Sequence, residues 1–277
     1  MLELHRSNAS VAQVATLWVS TYVAVARNAK GKGMAAQRVR DYLVPFMGDL
    51  PITALTPDGV RRYRLYLHDR DLAPRSVFHL LTDLKCMLNW AVEGGHIPRS
   101  PFPRRVMPRM QETPPDRLTD FEVAAVLAIP EPQAFVIRLG LGTGMRWSEL
   151  CRLRRADLER GMVVVSQTKS SRIRRIPVSV ALAREIAMQG GSMVPYSPGT
   201  TTSFARFVKG HSGVSRFHVH QLRHTFACQW LEAGGSLPSL QQILGHASIV
   251  TTQMYARLSD EAVRNEAARI HGSDTYQ

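Results

Sequence analysis

A mainly α-helical chain with one small β-sheet is what the sequence predicts, as an N-terminal four-helix bundle followed by a mixed α/β domain. Three observations carry this. Apolar residues recur at three- and four-residue spacing through most of both halves, the period of an amphipathic helix. The period changes once, near 162–178, where two β-branched runs flank a polar turn. Six prolines fall within 96–117 and interrupt regular structure there.

Val11, Val14, Ala15, Trp18, Tyr22 and Val25 mark one face of a first helix. Val39, Tyr42, Leu43 and Phe46 mark a second. Thr56-Pro57-Asp58 reads as an N-cap with proline at the first helical position, opening a third helix with Val60, Tyr63 and Leu67 inward. A fourth runs from about Pro74 and ends at Gly94-Gly95. Residues 1–97 therefore form the helical domain. Residues 98–117, rich in Pro and Arg, read as a stiff basic linker. Residues 118–277 restart at Thr119-Asp120-Phe121-Glu122, a capping-box pattern. Met162–Ser166 and Ile173–Val178 are strand candidates and Lys169–Arg172 the turn between them. Helices are expected near Val180–Gln189, Thr202–Lys209, His220–Glu232, Pro238–Leu244, Val250–Leu258 and Asp260–Ile270.

Charge narrows the class of partner. The chain of 277 residues carries 35 Lys+Arg against 22 Asp+Glu, a net +13. Residues 1–117 hold 17 basic and 10 acidic side chains, and residues 118–277 hold 18 and 12. The excess is spread over both halves, as expected if both touch a polyanion. The three cysteines are far apart and read as reduced core residues. No apolar run reaches the about 20 residues a membrane span needs. The opening MLELHRSNAS lacks the basic and apolar regions of a secretory signal. A soluble, cytoplasmic and nucleoid-associated protein is expected, with no membrane partner.

Several side chains are chemically suggestive together. His220 and Arg223 are three apart on a helical stretch and share a face. His224, one position on, is expected to point elsewhere. Arg146 follows Gly142-Thr143-Gly144 at a turn into a helix, where a guanidinium and free backbone N–H groups could hold a phosphate. Glu149 is placed to orient it. The segment is not a P-loop, because no lysine stands in the Walker position. Lys169 lies at the hairpin tip. His246 follows Gly245 at a helix end, and Tyr255 comes on or near the next helix. Each alone has an ordinary structural explanation.

In order, these segments resemble the tyrosine recombinases, the phage-integrase and Xer-like site-specific recombinases. GTGMRWSEL resembles the family's first-arginine box, and VSQTKSSRIRRIPV its catalytic-lysine hairpin. HQLRHTFA resembles its HxxR box, and LGHASIVTTQMYA its His-then-Tyr box. The resemblance implies catalytic roles for Arg146, Lys169, His220, Arg223, His246 and Tyr255. Arg257 departs from the histidine often found two positions after the tyrosine. The implied fold is a SAM-like core-binding bundle followed by a catalytic domain, the two closing on duplex DNA. The implied activity is cutting and rejoining of DNA through a 3′-phosphotyrosine intermediate, to integrate, excise or resolve DNA, with no metal or cofactor. The implied partners are double-stranded DNA and a homo-tetramer on paired sites, monomer or dimer when free. Accessory DNA-bending or directionality proteins are a further possible partner. Lys30, Lys32, Arg38, Arg75, Arg104, Arg105 and Arg172, with Arg27, are candidate DNA contacts. The alternatives are type IB topoisomerase-like relaxation, and an inactive DNA-binding relative.

Overall fold

The structure is a computed structural model, and it describes residues 9–110, 114–166, 173–190, 193–256 and 267. It divides into two compact units, Met1–Gln111 and Glu112–Gln277. Among the described residues no helix is long and apolar enough to cross a membrane.

The first unit is built from four helical rods. Helix α1, Val11–Trp18, starts at a Ser10–Gln13 capping box and continues through a π-turn, Val19–Val23, into Ala24–Ala26. Helix α2, Ala29–Arg38, does the same through Val39–Leu43 into Val44–Met47. Each π-turn shifts the apolar stripe by one residue. Tyr22 and Val25 lie on the expected face by straight helical spacing, yet both end up exposed. Helix α3, Pro57–His68, is capped by Thr56 with Pro57 at its first position. Helix α4, Pro74–Glu93, is the longest element and supplies Val77, Leu80, Leu81, Leu84, Met87 and Leu88 to the core around Trp18. Ile97 and Val106 are buried in the same core, and Phe102 and Met107 pack against it.

Among the described residues, one acidic side chain lies within this core. Asp83 on α4 takes Arg27 NH2 at 2.8 Å and Arg38 NH1 at 2.9 Å, with its own side chain 8% exposed. The Arg27 guanidinium also lies over the Trp18 ring, 5.4 Å from its centroid. Two of the arginines read as DNA contacts are thus held by a buried carboxylate inside their own unit.

The second unit is organised around α10, His220–Glu232, whose residues 221–223, 225–228 and 231 are buried. Helix α5, Asp120–Leu127, begins at the Thr119–Glu122 capping box. Helix α6, Gln133–Thr143, packs on α10 so closely that a Cβ on Gly140 would come 2.7 Å from Leu222. A short helix α7, Trp147–Leu150, precedes an antiparallel three-stranded sheet of β1 Leu158–Glu159, β2 Met162–Val165 and β3 Arg174–Pro177. Val163 pairs with Ile176 and Val165 with Arg174, so these four share the buried face. The hairpin follows its sequence pattern, whereas β1 is too short to show a period. Helices α8 Val180–Met188, α9 Thr201–Ser212, α11 Leu237–Leu244 and α12 Val250–Ala256 complete the unit. The helix expected at 260–270 lies, apart from residue 267, outside the described residues.

Asp83→Ala would leave two half-buried guanidinium groups without their counter-ion. Breaking such a pair costs about 3–5 kcal/mol when fully buried, and the partial exposure of both arginines places this loss near about 2–3 kcal/mol. Urea denaturation of the full chain checks this, and a change within about 0.5 kcal/mol, usual for a surface site, would contradict it.

Candidate active site

Two helix ends and one buried arginine define the site. Helix α6 stops at Gly144, with φ +61°, and α11 stops at Gly245, with φ +65°. Both are left-handed C-terminal caps, which leave the last carbonyls of each helix pointing away from the ladder. Arg223 on α10, 2% exposed, donates from NH1 to Gly144 O at 2.8 Å and from NH2 to Leu244 O at 2.7 Å. A cation at two helix C-termini also sits at the negative ends of two macrodipoles. At Gly144 nothing larger than hydrogen fits, since a Cβ would stand 2.4 Å from the Phe226 ring. Burial, and then Arg146 and Arg174, push Arg223 below the ordinary arginine pKa. These acceptors compensate, and the guanidinium stays charged.

Arg146 is the residue before α7. Its NH1 reaches Glu149 Oε1 at 3.1 Å, and its NH2 approaches Gly245 O at 3.4 Å. Glu149 therefore does hold the Arg146 side chain. The same carboxylate takes Arg174 NH1 at 3.0 Å and NH2 at 2.6 Å, a two-pronged pair whose side chains are 4% and 5% exposed. Burial raises the Glu149 pKa, but Arg174 and then Arg146 outweigh it and hold the carboxyl below its usual value. The turn's N–H groups are not the phosphate donors that the glycines suggested. Arg146 N donates to Glu149 Oε2 at 2.7 Å and Met145 N to Thr143 Oγ1 at 3.3 Å.

Tyr255, 2% exposed, comes from α12. Its ring is parallel to that of His246, with centroids 6.4 Å apart. Burial raises the phenol pKa, and Arg223 works against that rise. His246 Nε2 accepts from Arg223 NH2 at 2.9 Å, which leaves the proton on Nδ1 to donate to Thr252 Oγ1 at 2.9 Å. Burial and then the Arg223 and Arg146 charges bring His246 down to about 4, so the ring is neutral at pH 7.

His224 corrects the sequence reading. It was expected to point away, yet its Nδ1 lies 2.9 Å from the Tyr255 hydroxyl. His220 stands edge-on to it, ring centroids 4.6 Å apart, and makes no hydrogen bond to a described residue. Part of the His220 ring reaches solvent. Desolvation on its packed side, and then His224 and Arg223, still hold it below the ordinary imidazole value. Helical spacing held the clue, because His220 and His224 are one turn apart and α10 is contacted on several sides. Arg174 was also passed over. Strand alternation with the core residue Ile176 would have placed it on the buried face.

Among the predicted residues, the fold brings Arg146, Arg223, His246 and Tyr255 together, with His220 beside them through His224. Lys169 and Arg172 lie outside the described residues. Lys30, Arg75, Arg104 and Arg105 are exposed and Lys32 is half-buried.

The profile described as "Phage integrase family" matches residues 116–262, and one described as "Phage integrase SAM-like domain" matches residues 18–109. A Tyrosine recombinase XerC of Xylella fastidiosa is 33% identical over 69% of this chain and 72% of its own length. A Tyrosine recombinase XerC of Myxococcus xanthus is 28% identical over 87% of this chain and 93% of its own. Among solved structures, the Tn1549 transposon integrase in complex with transposon right end DNA superposes with TM-score 0.77 at 20% identity, covering 94% of this chain and 99% of that one. A lambda integrase tetramer bound to a Holliday junction gives TM-score 0.73 at 17% identity, covering 91% and 79%. The structural matches bear out the fold, and the sequence matches establish descent: the chain belongs to the phage integrase family of tyrosine recombinases.

Proposed function

We propose that this protein is a site-specific DNA recombinase that cuts and rejoins strands through a covalent phosphotyrosine intermediate. The observation that carries the reading is Tyr255 packed beside a cluster of guanidinium groups that, among the described residues, has one carboxylate directly on it. Its elements suit phosphoryl transfer. The Tyr255 oxygen attacks the scissile phosphorus while the bond to the leaving 5′-oxygen breaks. Arg146 and Arg223 brace the non-bridging oxygens as charge builds there, the kind of electrostatic effect that usually dominates such catalysis. His246 is given a hydrogen bond to the phosphate in exchange for one of its present partners, Arg223 or Thr252, and His220, exposed at the rim, is a further donor to the phosphate. Lys169 is assigned the leaving-group proton. A 5′-hydroxyl of a partner strand then reverses the step, so the bond energy is conserved in the link.

The lambda integrase relative is seen as a tetramer on a Holliday junction. We carry this over as four copies of the chain on two duplexes, with accessory bending or directionality proteins as further partners. The exposed Lys30, Arg75, Arg104 and Arg105 are candidate backbone contacts. The topoisomerase-like alternative uses the same chemistry on one duplex, but the relatives are named recombinases.

The test uses a duplex enriched from a randomised pool on the purified full chain and then nicked, so that the released strand diffuses away. Wild type traps a protein–DNA adduct, Tyr255→Phe binds the same duplex and traps none, and two-site recombination exceeds relaxation. An adduct with Tyr255→Phe, or none with wild type, overturns the mechanism. Glu149→Gln loosens Arg146 and leaves Arg174 short of its counter-ion. Adduct formation is expected to slow by about 10²-fold, the loss typical of removing one oxyanion donor. Single-turnover rates at saturating protein check this, and an unchanged rate would show that Arg146 needs no such anchor.

A further inference from the structure

His224 is not among the residues to which the resemblance assigns a role, yet it makes the one hydrogen bond to the candidate nucleophile among the described residues. Its Nδ1 is 2.9 Å from the Tyr255 hydroxyl, within the usual range for a proton to pass. The other imidazoles are otherwise engaged or aimed. Both nitrogens of His246 are committed, Nε2 to Arg223 and Nδ1 to Thr252. His220 contacts the His224 ring and makes no hydrogen bond to Tyr255.

The groups around His224 are nearly all basic. His220 and Arg223 face it from its own helix, His218 from the segment before it, and Tyr255 from α12. Asp116 is the acidic group that acts on it, and that carboxylate is already bound by His218 Nε2 at 2.9 Å and by Arg216. Desolvation, then His218 and Arg223, hold His224 below its ordinary value. It is therefore neutral at pH 7, with a lone pair free on Nδ1 when the proton sits on Nε2. The phenol, buried and raised in pKa, will not ionise unaided at that pH.

We propose that His224 is the proton acceptor for Tyr255, taking the phenolic proton on Nδ1 as the phenol oxygen closes on the scissile phosphorus. The bond from phosphorus to the Tyr255 oxygen forms, and the bond to the 5′-oxygen breaks. The phenolic proton ends on Nδ1, making an imidazolium, and the departing oxygen takes its proton from the acid assigned to Lys169. In the reverse step the imidazolium returns its proton to the leaving phenol. Nearby cations oppose a charged His224, which makes the transfer back favourable and suits a reaction that must run both ways. The inference rests on the recombinase reading above and gives His220 a contact to the phosphate rather than to the nucleophile.

The decisive variant is His224→Asn, whose side-chain oxygen can occupy the Nδ1 position and accept the hydrogen bond but does not titrate. Adduct formation on the nicked, pool-selected duplex is followed in single turnover from pH 5 to pH 9, with His220→Asn and Tyr255→Phe in parallel. Wild type should lose rate in acid as His224 protonates and level off above. His224→Asn should bind DNA as wild type does and melt within a few degrees of it. It should form adduct at least about tenfold more slowly at pH 7, with a rate that keeps rising towards pH 9. His220→Asn should slow the reaction but keep the acid limb. Wild-type rate and profile in His224→Asn, or loss of the acid limb in His220→Asn instead, would overturn the assignment. If wild type forms no adduct, or Tyr255→Phe does, the recombinase mechanism itself has failed. Should His224→Asn unfold, His224→Gln is read on the same profile.

Discussion

A guanidinium buried with no carboxylate directly on it among the described residues is the constraint on which the second unit depends. Taking Arg223 out of water is costly unless its N–H groups find acceptors. The fold supplies two main-chain carbonyls, Gly144 O and Leu244 O, each at the end of a helix. For both to be free, α6 and α11 must stop where they do, and each stops at a glycine with positive φ. Anything larger at Gly144 would meet Phe226, and at Gly245 a Cβ would stand 3.0 Å from Arg174. The positions of α6, α10 and α11 are therefore tied to one side chain. The cradle is held by backbone carbonyls, the kind of fixed geometry that electrostatic preorganisation requires.

The charge balance of this cradle is deliberately incomplete. Among the described residues, Arg146, Arg174 and Arg223 meet around one carboxylate, Glu149, which is spent on the first two. The neighbouring imidazoles add no charge at pH 7, because burial and the same arginines keep His246 and His224 neutral. The unmatched charge is on Arg223, with part of Arg146. In the proposed function a phosphodiester supplies the balancing charge. The geometry also separates two tasks. Glu149 and Arg174 are sealed in and hold position, while Arg146 keeps about a third of its side chain open to solvent.

Much of this was legible in the residues. The helical period, the Thr56 and Thr119 caps and the hairpin at 162–178 all rest on local chemistry, and local chemistry survives folding. The resemblance, carried by the order of Arg146, Lys169, His220, Arg223, His246 and Tyr255, pointed to the candidate site, of which Lys169 lies outside the described residues. What stayed hidden was non-local or depended on exact phase. The π-turn in α1 leaves no trace in composition, yet Tyr22 and Val25 at and beyond it lie on the surface. Helical phase alone sets His224 about 100° from Arg223, which suggested opposite roles. Helix α10 is enclosed, however, so two of its faces line one site. Carbonyl acceptors cannot be read from residue types at all, since each residue carries one.

The placement of Tyr255 follows from what holds the described part of α12, Val250–Ala256. Two of its side chains bind the site directly, Thr252 through His246 Nδ1 and Tyr255 through His224 Nδ1. Tyr255 can donate to His224 only while Nδ1 carries no proton, whereas Thr252 accepts from the Nδ1–H of His246, whose Nε2 takes a proton of Arg223, the buried cation that orders the helix ends. The same cation, through its charge, lowers His224 and opposes the rise in the Tyr255 pKa. The nucleophile is thus coupled to the phosphate cradle by the residue that builds the cradle. A change at either helix end would therefore bear on Tyr255 through Arg223.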